Sequence, residues 1–209
     1  MKTKTIKAIL FDFDGTLTVP GLIDFLAIKK AIQCPDNSTI LEFIAGLPAG
    51  EKRKKALGIL EEYEELAANK AKPNESAEEV VCFLKKKKIK LGILTRNSLQ
   101  SLKTALKSFT KTSLRDFAVV ITREHALKLK PHPDGVLEAC RRFGIAPREL
   151  AVVGDYIYDI QAGQSAGALT VFLESGHTTK WPAPPADFTI RGLNELHKFF
   201  DYHDDIQSS

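Results

Sequence analysis

The chain has 209 residues, 44% of them hydrophobic and 27% charged, with a formal net charge of +4. That is an ordinary globular balance, enough to bury a real core in one large domain or in a domain with a small insert. No apolar run reaches the length of a bilayer span, the mild positive excess is too small to argue for nucleic acid, and Cys34, Cys82 and Cys140 lack the CxxC or Cys/His spacing of a metal centre.

The basic start, Met1 to Thr5, is followed only by a short apolar stretch that soon meets acids, so it does not read as a signal peptide. Free thiols in a reducing cytoplasm are the expectation for the cysteines. Ile6 to Asp12 is an apolar run climbing into Asp12-Phe13-Asp14-Gly15-Thr16, which predicts a buried central strand of a parallel sheet. Residues i and i+2 of a strand share a face, so Asp12 and Asp14 fall on one side, Phe11 and Phe13 on the other. Two carboxylates that close repel unless one is neutral or a cation lies between them.

Beyond Thr18 the period changes. Leu22, Ile23, Phe25, Leu26 and Ile28 recur at helical spacing as far as Gln33, and Cys34-Pro35 breaks the pattern. Asp36 or Ser38 is placed to cap a second short helix through Ile44, and Gly46 to Gly50 reads as a loop. A third helix runs from Glu51 to Asn69. Its early cations, Lys52, Arg53, Lys54 and Lys55, and its late acids, Glu61, Glu62, Glu64 and Glu65, oppose the helix dipole at both ends. Tertiary contacts must hold this helix, or the basic cluster has a use. Residues 19–74 are thus expected to form a small all-helical unit.

From Ser76 the pattern alternates. Helices are predicted over 78–87, from an Asn97 cap to Phe109, over 134–143, 157–166 and 193–200. Strands are predicted over 89–95, 117–122, 150–154, 168–173 and 188–190. Residues 175–185 are a Pro-rich loop and the tail from Asp201 is polar. Such alternation implies a Rossmann-like parallel sheet flanked by helices, formed by residues 1–18 and 75–209, with the helical unit inserted after the first strand.

Ligands of open α/β sheets bind beyond the carboxyl ends of the strands. There the first strand presents Asp12 and Asp14, the second Thr95-Arg96-Asn97, and the fourth Asp155 and Asp159, while Lys130-Pro131-His132-Pro133 follows the third. Each residue alone has a plain structural explanation, as a turn, a cap or a solvated side chain. His125, His132, His177 and Trp181 are read as packing or incidental, and Tyr156 and Tyr158 either as packing or as shaping the mouth of the pocket.

Taken together, Asp-Phe-Asp-Gly-Thr-Leu-Thr (12–18), Leu-Thr-Arg-Asn (94–97), Lys-Pro-His-Pro (130–133) and Gly-Asp-Tyr-Ile-Tyr-Asp (154–159) resemble the four ordered motifs of the haloacid dehalogenase superfamily. The helical insert is similar to the cap of its phosphoglycolate phosphatase and β-phosphoglucomutase branch. The resemblance implies a Mg²⁺-dependent phosphatase of a small phosphorylated metabolite. Asp12 would be the nucleophile and a metal ligand, forming a phosphoaspartyl intermediate. Asp14 would be general acid and then base, its carbonyl also on the metal. Asp155 and Asp159 would complete the metal site, Asp159 directly or through water. Thr95 and the amide of Arg96 would hold phosphate oxygens, and Lys130 would offset their charge. The presence of Asp14 disfavours dehalogenase and phosphonatase chemistry, whereas a phosphomutase, a phosphotransferase or a non-catalytic phosphate binder stays open.

Within the insert, the loop from Gly46 to Gly50 matches the position of a cap loop over the site, and one of the cations after it, Lys52, Arg53, Lys54 or Lys55, or else Arg96 beyond the second strand, is expected to meet the non-reacting part of an anionic substrate. A small phosphorylated substrate is the one partner expected. The chain is read as a monomer or homodimer, with no nucleic acid and no membrane.

Overall fold

Four consecutive buried residues, Ala8–Phe11, form the central strand β1, closed to water on both faces. The computed structural model describes residues 6–174 and 185–201. Met1 to Thr5, the stretch 175–184 with His177 and Trp181, and residues 202–209 lie outside the described residues. Strands β2 (Lys90–Leu94), β3 (Val119–Ile121), β4 (Leu150–Gly154), β5 (Leu169–Leu173) and β6 (Phe188–Ile190) complete one six-stranded sheet in the order β3-β2-β1-β4-β5-β6. Every pairing is parallel, as the alternating sequence implies.

The alternation of β1 divides the core. Ile9 and Phe11 join α4 (Ala77–Lys86) and α5 (Leu99–Leu106) on one face, where Val80, Val81, Leu84, Leu102 and Ala105 are buried. Ala8 and Leu10 join α6 (Asp134–Phe143) and α7 (Ile157–Ala166) on the other, with Val136, Ala139, Phe143 and Ala162. Truncating Phe11 to Ala would cost roughly 3–5 kcal/mol, the usual range for a fully enclosed aromatic. The described residues end with a 3₁₀ turn, Leu193–His197, and a short α8, Lys198–Asp201, rather than one continuous helix.

The insert contains α1 (Phe25–Ile32), α2 (Ile40–Gly46) and the start of α3 (Glu51–Lys70), packed round their own cluster of Ile28, Ile32, Ile40, Ile44, Ala56 and Leu60. Helix α1 starts three residues later than its periodicity suggests because Asp24 caps it, accepting from the Ala27 amide at 2.9 Å. Thr39, not Asp36 or Ser38, precedes α2. Helix α3 crosses between the two units: Ala56 and Leu60 belong to the small cluster, whereas Ala68 packs in the main core with Ala71 just beyond the helix. The two connecting strands touch. Val19 N donates to Lys72 O (3.0 Å) and Asn74 N to Leu17 O (2.8 Å), on either side of a Thr18–Pro73 bridge.

Candidate active site

Strand order reverses at β1, so the ends of β1 and β4 flank the crevice where such sheets take ligands. The amide of Asp12 donates to Val153 O at 2.8 Å, which carries the β1–β4 pairing one step beyond the strand and fixes the Asp12 side chain at the sheet edge. The chain then turns at Gly15, whose φ is +85°. A Cβ there would lie 2.2 Å from Asp155 Oδ2, so the turn brings main chain against that carboxylate in a way only glycine allows. Gly154 is under the same constraint, since its Cβ would fall 2.3 Å from Asp159 Cγ.

Lys130 is buried and uses all three ammonium hydrogens. Its Nζ donates to Asp12 Oδ1 at 2.5 Å, Asp159 Oδ1 at 2.6 Å and Leu94 O at 2.8 Å. Burial alone would pull its pKa down, but Asp12 and Asp159 outweigh that and hold it above the ordinary lysine range. Asp159 is steadied by the Tyr156 amide at the start of α7, which donates to Oδ2 at 3.1 Å. Thr16 Oγ1 donates to Asp155 Oδ1 at 3.4 Å.

Ligand oxygens of Asp12, Asp155 and Asp159 lie within 4.8 Å of one another. One lysine faces three carboxylates, so negative charge is in excess. Burial first, then Asp12 and Asp159, push Asp155 up to about 8. Asp159 rises to about 6, through burial and Asp12 against the opposing pull of Lys130. Three convergent oxygen donors with surplus negative charge and no nitrogen or sulfur fit a hard divalent cation such as Mg²⁺.

Asp14 faces a different set of partners. Its Oδ2 accepts from Asn97 Nδ2 at 2.8 Å and from Thr95 Oγ1 at 3.5 Å. It keeps some solvent-facing surface yet lies deep in the protein. Burial, with the charges of Asp12 and Glu64, pushes it up to about 7, against Lys130 and the Thr95 hydroxyl. Thr95 is itself held by β3, its amide donating to Ile121 O at 3.0 Å. The structure therefore gathers Asp12, Asp14, Thr95, Lys130, Asp155 and Asp159 at one sheet edge.

Of the remaining sequence candidates, Arg53 and Arg96 are engaged by partners of their own. Arg53 donates to Ile44 O at 3.1 Å and to Ala45 O, closing the open carbonyl end of α2. This is the use of a cation at the dipole-opposed start of α3. Lys52 is exposed, and Gly46 is the exposed last residue of α2 rather than part of the loop. The Arg96 guanidinium meets Glu42 of the insert, both of whose carboxylate oxygens lie 2.7 Å from Nη2.

Ser98, rather than Asn97, caps α5, accepting from Ser101 N at 3.0 Å, which leaves the Asn97 amide for Asp14. The place of Asn97 two residues after Thr95 is the only sequence signal for that role. Glu42 and Glu64 carry none. His132 pairs with Asp134 in its own turn (2.9 Å), and His125 accepts from Thr122 N (3.2 Å), both local roles.

Residues 6–167 match the family of haloacid dehalogenase-like hydrolases. An uncharacterized hydrolase of Saccharomyces cerevisiae, YOR131C, is 34% identical over 197 residues, 92% of this chain and 90% of that protein. An N-acetylmuramic acid 6-phosphate phosphatase of Pseudomonas aeruginosa is 26% identical over 198 residues, 85% of each chain. CbbY from Rhodobacter sphaeroides, solved in complex with phosphate, shares the fold with a TM-score of 0.75 at 20% identity, covering 92% of this chain and 96% of that one. With the ordered motifs assembled at one sheet edge and the family match spanning most of its length, the chain belongs to the haloacid dehalogenase-like hydrolases.

Proposed function

We propose that the chain is a Mg²⁺-dependent phosphatase that hydrolyses a small phosphate monoester through a phosphoaspartyl intermediate on Asp12. The observation that carries this reading is the division of labour between two neighbouring acids. Asp12 accepts directly from the Lys130 ammonium at 2.5 Å, whereas Asp14 is pushed up to about 7 and is held by Asn97 and Thr95. A nucleophile needs the first environment and a general acid the second. The family match and the phosphatases among the relatives support the same reaction class.

Asp12 attacks phosphorus, the bond to the leaving alcohol breaks, and Asp14 donates its proton to that oxygen. The now ionised Asp14 takes a proton from water as it attacks the phosphoaspartate, which releases phosphate and restores both acids. Thr95 and the Arg96 amide receive the phosphoryl oxygens, and Lys130 offsets their charge. Asp12, Asp155, Asp159 and the Asp14 carbonyl would hold Mg²⁺, which supplies electrophilic neutralisation of the dianionic ester. The insert, residues 19–74, is the cap that shields the first step from water.

Among the described residues no helix is long and apolar enough to cross a membrane. The three cysteines are unpaired, with burial pushing the Cys140 thiol up to about 11, so we place the enzyme in the reducing cytoplasm. The test is phosphate release from a panel of phosphate monoesters that includes p-nitrophenyl phosphate, with Mg²⁺ and with EDTA. Release that needs Mg²⁺ and disappears in Asp12→Asn is expected. No release from any compound overturns the reading.

A further inference from the structure

Arg96 places a cation at the edge of the site whose side chain has no part in the reaction above. The core holds its guanidinium from two directions. Nη1 donates to the carbonyl of Lys130 at 2.9 Å, and Cζ lies 5.3 Å from the centroid of the Tyr158 ring, itself braced edge-on by Tyr156 at 4.9 Å. Both anchors belong to the core, so the cation stays in place whether or not the insert moves. Only its outer nitrogen turns to the insert, where it meets both carboxylate oxygens of Glu42.

Glu42 is the loose partner of the pair. Its side chain is 51% exposed against 20% for Arg96, and it also accepts from Thr39 at the start of the same short helix. As a latch this contact is weak, because half-exposed ion pairs contribute little. As a receptor it is well prepared: a guanidinium already fixed by a carbonyl and a ring loses little freedom on meeting a ligand carboxylate. The phosphoryl group, on the phosphatase reading, is received by Thr95 and the amide of Arg96. The same residue therefore offers its main chain to the phosphate and its side chain to whatever extends from it.

We propose that Arg96 is the specificity-determining residue for phosphate monoesters that carry a carboxylate on the leaving alcohol, and that Glu42 occupies the place of that carboxylate until substrate arrives. This rests on the phosphatase reading for its substrate class. It requires a substrate that exchanges one carboxylate for another on Arg96, so neutral alcohols of the same length, which leave the Arg96–Glu42 pair intact, are the poorer substrates.

Two matched pairs test it: 3-phosphoglycerate against glycerol 3-phosphate, and 4-phosphoerythronate against erythritol 4-phosphate. The quantity read is the ratio of kcat/KM between the acid and the alcohol of each pair. Wild type should favour the acid in at least one pair. Arg96→Ala should reduce that ratio about tenfold, through KM, and Glu42→Gln should raise it several-fold by removing the competitor. If phosphate is released but no acid surpasses its alcohol, or if Arg96→Ala leaves the ratio within twofold, the proposal is overturned and the pair is only a contact between insert and core.

Binding of the same four compounds to the turnover-blocked Asp12→Asn variant, followed by calorimetry in Mg²⁺ with and without Arg96→Ala, separates the two readings. An Arg96-dependent preference for the acids with no phosphate released by the wild type sinks the phosphatase and keeps this inference. Phosphate release with no such preference does the reverse. Binding of none of the four overturns this inference.

Discussion

At Gly15 a backbone angle and a carboxylate meet: the φ of +85° and the 2.2 Å that would separate an added Cβ from Asp155 Oδ2 both bar any side chain. Gly15→Ala should therefore lower stability by about 1–3 kcal/mol, the range for strain at such a position. It should also reduce phosphate release at least tenfold, because Asp155 must move. Unchanged turnover with p-nitrophenyl phosphate would contradict this. Lys130 is the opposite case, a side chain that nothing replaces. Lys130→Met leaves the buried Asp12 and Asp159 facing each other without their shared cation, which should destabilise the fold by about 3–5 kcal/mol in urea titrations. Both positions are legible in the sequence as members of motifs. What the motifs do not reveal is that Asn97 bonds to Asp14, since Asn and Ser are equally good caps and only the folded turn shows that Ser98 takes that role.

Helix α3 is the element whose behaviour the sequence predicts least well. Its late acids look unfavourable beside the negative end of the helix dipole, yet the core supplies their partners. Arg123 donates to Glu64 at 2.5 Å and to Glu61 at 3.5 Å, and Thr104 of α5 donates to Glu65 at 3.1 Å. Glu64 is almost wholly buried with Oε2 unbonded, so burial pushes its pKa up in spite of Arg123. Arg123→Met should consequently cost about 3 kcal/mol, and adding Glu64→Leu should restore most of it, since a matched apolar pair leaves no charge stranded. Equal instability of the single and double variants, measured by denaturant unfolding, would rule this out. These ties also anchor the second half of α3 to the core. Amides of α1 and α2, packed only in the small cluster, should exchange with deuterium faster than those of α3 beyond Glu61.

For the molecule as a whole, the crowding of acids sets an unusual dependence on pH. Asp14, Asp155 and Asp159 lie at about 7, 8 and 6 in the folded protein, above the ordinary 3.8. The metal-free fold thus holds, up to this range, protons that the unfolded chain has already released near 3.8. Raised folded-state values mean that stability falls as pH rises through 6 to 8, by about 1.4 kcal/mol per pH unit for each such proton. The Tm in EDTA should accordingly increase when pH is lowered from 8 to 6. Saturating Mg²⁺ competes with these protons, so its stabilisation should be larger at pH 8 than at pH 6. Calorimetric scans at the two values, with and without metal, check both signs; a Tm in EDTA that drops on acidification contradicts this excess of negative charge.

The sequence by itself determined the alternating α/β order, the parallel sheet, and the acids and lysine at the strand ends. Those features follow from periods of two and 3.6 residues and from short motifs, which are properties of neighbours along the chain. Tertiary structure decided which groups those neighbours meet. Glu42 reaches Arg96 across 54 residues and Glu64 reaches Arg123 across 59, and neither pairing has any local pattern to announce it. The physical reason is that a long charged side chain is satisfied by whatever the packed elements bring within hydrogen-bond reach, and only the arrangement of helices over the sheet specifies that.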